Sequence, residues 1–225
     1  LAGAGWVTPV ASAFGEGSPT LAPGFDGVTS VFVADTGSRL DTGLFETAYL
    51  HRFDAATGRL LQSWPIHEPV QSTPRALLDR GRLRHLYVDT QPPFAHAAGT
   101  LMHVDAARPE AIEPLDVPGR GRLTWPLFAD VDGDGRDEVI VGRRFHGPSG
   151  VDGLVACLDP DASHAVSWTH RCRGALDSYP ILSQQDADPE PEACFASLRG
   201  FACLDVQATP AGGDRVAWSC SWDHD

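Results

Sequence analysis

The sequence predicts an all-β chain built from four copies of one unit. Three observations carry that expectation. A small or aromatic residue recurs before proline, at Ser18-Pro19, Thr73-Pro74, Trp125-Pro126 and Tyr179-Pro180. An apolar run ending in aspartate recurs from Leu50 to Asp54, Leu101 to Asp105, Leu154 to Asp159 and Phe201 to Asp205. Eighteen prolines and twenty-three glycines in 225 residues favour short strands and tight turns over helices. The two motifs return at intervals of 46 to 55 residues. Such a period, built from short strands, is the mark of propeller blades or a related array. The fold class expected is therefore a β-propeller of about four four-stranded blades.

Each unit resolves into four strands. The first follows the proline, as in Pro74-Arg75-Ala76-Leu77-Leu78 and Pro126-Leu127-Phe128-Ala129. The second is a β-branched or aromatic run: Val31-Phe32-Val33, Leu86-Tyr87-Val88, Val139-Ile140-Val141 and, more weakly, Cys194-Phe195-Ala196. The third ends in the recurring aspartate, and Ala55-Ala56-Thr57-Gly58 is a turn composition leading to the fourth. The fourth carries a tryptophan at Trp64, Trp168 and Trp218, with Leu115 in that place in the second unit. Alternation is imperfect, as expected where both faces of a sheet are buried.

These strands place the blades at 17–67, 72–117, 123–171 and 177–222. Trp6 stands before Pro19 much as Trp64 stands before Pro74, so residues 5–12 are expected to be the last strand of a preceding blade. The chain is therefore expected to be an arc of a larger ring, the alternative being a closed four-bladed ring with a redundant edge strand. The first residue, Leu1, suits a processed chain or an excised segment. The missing blades would come from a protein partner or from the rest of the parent polypeptide. An open arc leaves strand edges and apolar faces that proteins normally cover.

A formal charge of −13 argues against nucleic acid and anionic membranes. No apolar stretch approaches the length of a membrane-spanning helix, so membrane insertion is not expected. All seventeen basic residues are arginine, which excludes chemistry that depends on a lysine. The five cysteines, Cys157, Cys172, Cys194, Cys203 and Cys220, contain no CxxC pair, which weakens zinc and thioredoxin-like readings. Their spacing suits buried strand positions or cross-strand disulfides. Cys194 and Cys203 flank a short turn through Arg199-Gly200, where they could face each other.

One segment carries strong chemistry. Asp130-Val131-Asp132-Gly133-Asp134-Gly135-Arg136-Asp137-Glu138 sets carboxylates at alternate positions, with glycines for a sharp turn. Calcium takes about six to eight such oxygens. By spacing, the side chains of Asp130, Asp132, Asp134 and Glu138 and the carbonyl of Arg136 are the ligands, and Asp137 points to solvent. An EF-hand would need a helix before the loop and glutamate at its twelfth position, but Pro126 precedes it and Val141 stands there. Magnesium tolerates such all-protein cages poorly. The buried-strand run Val139-Ile140-Val141 follows at once, so the ion is expected to fix the hairpin rather than act on a substrate. Asp26-Gly27 and Asp79-Arg80-Gly81 keep only the turn, and Gln185-Asp186-Ala187-Asp188 reads as a decayed copy.

Pro126 through Gly142, with Ala129 to Gly142 at its centre, resembles the FG-GAP calcium repeat of integrin α-subunit propellers and of many bacterial secreted proteins. Leu50 through Leu60, with Trp64 after it, is similar to the repeat of pyrroloquinoline-quinone dehydrogenases and their non-enzymatic relatives. The first resemblance implies a structural calcium. The second implies a quinone on the ring axis, a second calcium, an adjacent-cysteine disulfide and a catalytic aspartate, yet no two cysteines are adjacent here. Rhamnogalacturonan lyases have a similar loop in several copies and lysine-, histidine- or arginine-lined grooves, whereas this chain has one loop and no lysine.

The connections between second and third strands (Asp35 to Glu46, Asp89 to Gly99 and Gly142 to Gly153) are expected to be long loops that share one face and bind a ligand. They carry Arg39, Asp41 and Phe45; Gln91, Phe94 and His96; and Arg143, Arg144, Phe145 and His146. His51 and His103 fall at equivalent third-strand positions, which points to packing rather than to ligation. No GxSxG, HExxH or GxGxxG motif occurs. The sequence thus reads as a non-catalytic, calcium-stabilised scaffold or binding module, periplasmic or extracellular, with a protein or a glycan as partner. The alternative is part of a secreted propeller enzyme, a polysaccharide lyase or quinoprotein.

Overall fold

The computed structural model describes residues 17–37, 47–70, 72–91, 98–119, 121–147, 150–173, 176, 180–183, 192–197, 200–205 and 216–221. Among them the chain is all-β, in four antiparallel four-stranded sheets, none closed on itself. No helix among the described residues is long and apolar enough to cross a membrane. The chain divides into two compact units, Leu1–Pro93 with Thr100–Leu115, and Phe94–Gly99 with Asp116–Asp225.

The first unit holds two sheets. One is β1 (Thr20–Pro23), β2 (Thr29–Ala34), β3 (Ala48–Asp54) and β4 (Leu60–Ile66), hydrogen-bonded in chain order. The other is β5 (Arg75–Asp79), β6 (Arg82–Asp89), β7 (Leu101–Asp105) and β8 (Glu113–Leu115), in the same order. Register sorts the side chains into two faces, because directly paired residues share a face. Ala34, Leu50 and Trp64 stand in one row of the first sheet, and Phe32, Arg52 and Gln62 in the next. This is the tryptophan face. Leu21, Val31 and Phe53 lie on the opposite, plain face, with Val33, His51 and Ser63.

The tryptophan face of the first sheet packs on the plain face of the second. Phe32, Ala34, Leu50 and Trp64 form one core with Leu86, Val88 and Val104, and Ala76 and Met102 pack against it. Trp64 is 1 % exposed, and its indole N–H donates to the Pro109 carbonyl at 2.8 Å. Removing a side chain of that size from a core costs about 3–5 kcal/mol. Two hydrogen bonds tie together the segments where the two sheets begin, from Ser18 N–H to Thr73 Oγ1 at 2.9 Å and from the Thr20 hydroxyl to the Pro74 carbonyl. Arg52 is buried between the sheets because its guanidinium has partners, Ser30 Oγ at 2.9 Å and Asp26. It lies flat over Gly24, where an added Cβ would sit 2.1 Å from the guanidinium.

The second unit repeats the arrangement. Its sheets are β9 (Leu127–Ala129), β10 (Glu138–Gly147), β11 (Gly150–Asp159) and β12 (Ala165–Arg173), then β13 (Ile181–Ser183), β14 (Glu192–Ser197), β15 (Gly200–Asp205) and β16 (Val216–Ser221). Leu127, Ile140, Cys157 and Trp168 form the tryptophan-face row of the third sheet. They pack with Ala193, Phe195 and Leu204 of the fourth, which lie on the face opposite the Cys203–Trp218 pair. Tryptophan face on plain face is therefore the packing rule in both units.

The recurring aspartate has a local cause. Asp54 Oδ1 accepts the N–H groups of Ala56 at 2.8 Å and Thr57 at 3.0 Å, and Gly58 closes the turn at φ 71°. Asp105 receives Ala107 N–H and Asp159 receives Asp161 N–H in the same way. The carboxylate satisfies amides that the end of the strand leaves open.

Three expectations change. Gly142 to Gly153 is no loop: β10 and β11 run on as a hairpin, paired from Gly142 and Val155 out to Gly147 and Gly150. Arg143 within it is 4 % exposed and donates to the carbonyls of Gly99, Gly121 and Val117, so it holds backbone rather than a ligand. His51 and His103 are not equivalent. His51 stands three residues before its terminal aspartate and His103 two, which turns them to opposite faces, His51 with Val33 and His103 with Tyr87. Residues 5–12 with Trp6, Arg39, Asp41 and Phe45, Phe94 and His96, and Gln185 to Asp188 lie outside the described residues.

Cys194 and Cys203 form a disulfide between directly paired residues of β14 and β15, while Cys157 and Cys172 are buried. Closing a loop of this length stabilises by about 2–3 kcal/mol in the chain-entropy picture. Replacing both Cys194 and Cys203 by alanine should lower the urea midpoint accordingly, and reduction of the wild type should reproduce that loss.

Asp89 stands where the first sheet has Ala34, in a row with Leu101 and Leu115, and it is fully buried. Burial pushes its carboxyl up to about 7, against smaller opposing contributions from Ser72 and Gln91. A carboxyl that holds its proton more tightly folded than unfolded stabilises most below the unfolded value of 3.8 and loses that contribution as the pH rises to 7. Asp89→Asn should therefore melt several degrees above wild type at pH 8, and the gap should shrink steadily toward pH 4.

Candidate metal site

The turn from β9 to β10 is built by its own carboxylates. Asp130 accepts Gly133 N–H on Oδ1 at 2.8 Å and Gly135 N–H on Oδ2 at 2.9 Å. Asp132 accepts Asp134 N–H at 3.1 Å, and Asp134 accepts Arg136 N–H at 2.8 Å. Gly133 and Gly135 have φ of 78° and 85°, the left-handed region that glycine enters without strain. Val131 is buried beneath the turn, and its N–H donates to Glu138 Oε2 at 2.8 Å, which ties the start of the loop to its end.

The fold brings three of the five expected ligands together. Carboxylate oxygens of Asp130, Asp132 and Glu138 lie within 4.8 Å of one another. Asp134 stays outside that group and is exposed. The side chain of Arg136, the only basic one in the loop, turns away to pair with Asp161 at 2.9 Å. Asp137 is half-buried rather than solvent-facing, and burial together with the charge of Asp130 raises its carboxyl. Glu138 is 3 % exposed. Burial above all, with the charges of Asp132, Asp134 and Asp159 adding and the Val131 N–H opposing, pushes it up to about 7.

Such a donor set fits a hard dication. Three converging carboxylates, one of them buried and with no ammonium or guanidinium among them, repel one another until a cation neutralises them. Each keeps oxygen lone pairs beyond those the turn uses. Calcium suits the oxygen-only chemistry and the flexible glycine turn better than a metal that prefers nitrogen or sulfur.

Two polar clusters escaped the sequence reading because they depend on register. His51 bridges buried Asp35 and exposed Ser63, with Nε2 3.0 Å from Asp35 Oδ2 and Nδ1 2.8 Å from Ser63 Oγ. Asp35 is held by the N–H groups of Tyr49 and Gly37. The order is that of an acid–imidazole–hydroxyl relay, but Ser63 lies on a flat strand directly opposite His51 rather than on a turn that projects it. In the second sheet His85 Nδ1 lies 3.0 Å from His103 Nε2, both rings being buried, and burial lowers His103 to about 4. A Ser two strands from an Asp, with a His between them, is the signal for the first cluster once pairing is known.

No known family model matches the chain, and no curated protein matches it. Among solved structures, the crystal structure of the V. cholerae biofilm matrix protein Bap1 aligns over 96 % of this chain and 41 % of that one, with a TM-score of 0.45 and 14 % identity. The chain thus spans less than half the length of that protein.

If Asp130, Asp132 and Glu138 form the centre of the site, Glu138→Gln and Asp132→Asn should each weaken calcium binding at least tenfold in titration calorimetry. Asp134→Asn should weaken it less, because Asp134 enters only if the loop rearranges.

Proposed function

We propose that this chain is a calcium-stabilised β-propeller module that serves as a scaffold or binding element, with a protein or a glycan as its partner. The observation that carries the reading is the convergence of Asp130, Asp132 and Glu138 in a turn whose last ligand opens the buried strand run Val139-Ile140-Val141. An ion held there would lock β9 to β10 and supports architecture rather than turnover. Face-to-face pairs of four-stranded sheets, repeated in both units, support blades as the building unit.

The Cys194–Cys203 disulfide supports an oxidising compartment, the periplasm or cell exterior, where free calcium is also high enough to fill a modest site. The charge of −13 fits a module that meets neither nucleic acid nor anionic lipid. The remaining blades of the ring would come from a partner or from the parent polypeptide.

Thermal melting with and without calcium tests the reading. A site with a Kd near 10⁻⁴ M at about 10 mM calcium stabilises by about 2.7 kcal/mol, roughly 5–10 °C for a chain of this size. Magnesium should give much less. A melting temperature indifferent to calcium and to chelator would sink the proposal.

A further inference from the structure

We propose that Asp35, His51 and Ser63 form an acyl-transfer site, with the Ser63 hydroxyl as nucleophile toward uncharged, activated esters. The site draws no residue from the acidic turn, and it goes beyond the scaffold reading. A carboxylate only accepts hydrogen bonds, so the 3.0 Å contact between Asp35 Oδ2 and His51 Nε2 puts the ring proton on Nε2. Nδ1 is then the acceptor, and the Ser63 hydroxyl donates to it at 2.8 Å. Asp35 is 1 % exposed and fixed by the N–H groups of Tyr49 and Gly37. The ring is thereby held in the tautomer that can take the serine proton.

Backbone pairing adds a donor. Asp35 N–H donates to the Tyr49 carbonyl, so Tyr49, and His51 two residues on, turn their N–H and C=O groups toward β2. His51 and Ser63 are therefore a pair without mutual backbone hydrogen bonds, the kind in which side chains approach most closely. Ser63 N–H points away from β3, and β4 is the last strand of its sheet. That N–H is an edge donor beside its own hydroxyl, placed for the oxyanion that forms when Oγ adds to a carbonyl. The edge position also replaces a projecting turn, since it leaves Ser63 exposed. Tyr49 is 37 % exposed and stacks on His51, with ring centroids 5.7 Å apart. With Pro65 opposite, it flanks Ser63 on the same face and offers an apolar wall to an aryl or acyl group. The charge of −13 disfavours anionic substrates.

Water is the one co-reactant. Ser63 Oγ bonds the ester carbonyl carbon as its proton passes to His51 Nδ1, and the imidazolium faces Asp35. The bond from that carbon to the leaving oxygen breaks, the departing alcohol takes the proton from His51, and the acyl group stays on Ser63. Water then gives a proton to His51 and its oxygen to the acyl carbon, and Ser63 Oγ leaves with the proton. A carboxylic acid and an alcohol are the products.

A fluorophosphonate, which bonds to a serine oxygen with loss of fluoride and is not released by water, tests this on the full chain. Mass spectrometry of wild type should find the adduct on the peptide that carries Ser63. Wild type should also hydrolyse p-nitrophenyl acetate about tenfold or more faster than Ser63→Ala, and His51→Gln should slow labelling by about 100-fold. Asp35 is a positioning residue. Asp35→Asn keeps an oxygen for the Tyr49 and Gly37 amides but presents an N–H to His51 Nε2. It should therefore move the ring proton to Nδ1, visible in the nitrogen-15 resonances of the imidazole, and slow labelling as His51→Gln does. A Ser63 without adduct, a labelling rate that His51→Gln leaves unchanged, or hydrolysis that persists in Ser63→Ala would overturn the proposal. Should His51→Gln fail to melt cooperatively, His51→Phe, which keeps a ring against Tyr49, takes its place.

Discussion

Everything in this chain depends on burying both faces of each sheet. A lone four-stranded sheet with Phe32, Leu50 and Trp64 on one side and Val31, Val33 and Phe53 on the other has no side to give to water. The tryptophan face meets that demand by lying on the plain face of the next sheet, as the shared cores of both units show. The strands are consequently not strictly alternating, and polar residues enter only with partners. Arg52 keeps Ser30 and Asp26, and Arg143 keeps three carbonyls.

Strand content and the four-fold repeat were legible because they rest on local chemistry. Proline opens each unit, and the terminal aspartate caps a turn through its own carboxylate, as Asp54 and Asp159 do. The third connection was misread because its residues, Gly142 to Gly153, are rich in glycine and charge, which reads as a loop. The burial of Arg143 and continued pairing with β11 made it a hairpin instead. His51 stands one residue into its run and His103 two, and the period of two in a strand makes that single residue decisive.

The acidic turn was legible as a cluster and less so as a geometry. Alternate spacing placed Asp130, Asp132 and Glu138 together, while Asp134 remains engaged with the Arg136 amide. The buried Asp89 and the relay from Asp35 through His51 to Ser63 were invisible, because nothing local marks them. Both arise where successive strands are set side by side, and only register decides which side chains meet.

The bond between Cys194 and Cys203 has a consequence beyond the entropy of the loop it closes. It joins residues that face each other across β14 and β15, so it admits one alignment of those strands and no other. A slip of one position would carry Ala193, Phe195 and Leu204 from the core to the opposite side of the sheet. The fourth sheet has the weakest strand pattern of the four, and nothing in Cys194-Phe195-Ala196 forbids sliding. Oxidation thus acts as a registration pin, giving the least self-specifying part of the chain an alignment its side chains alone would not enforce.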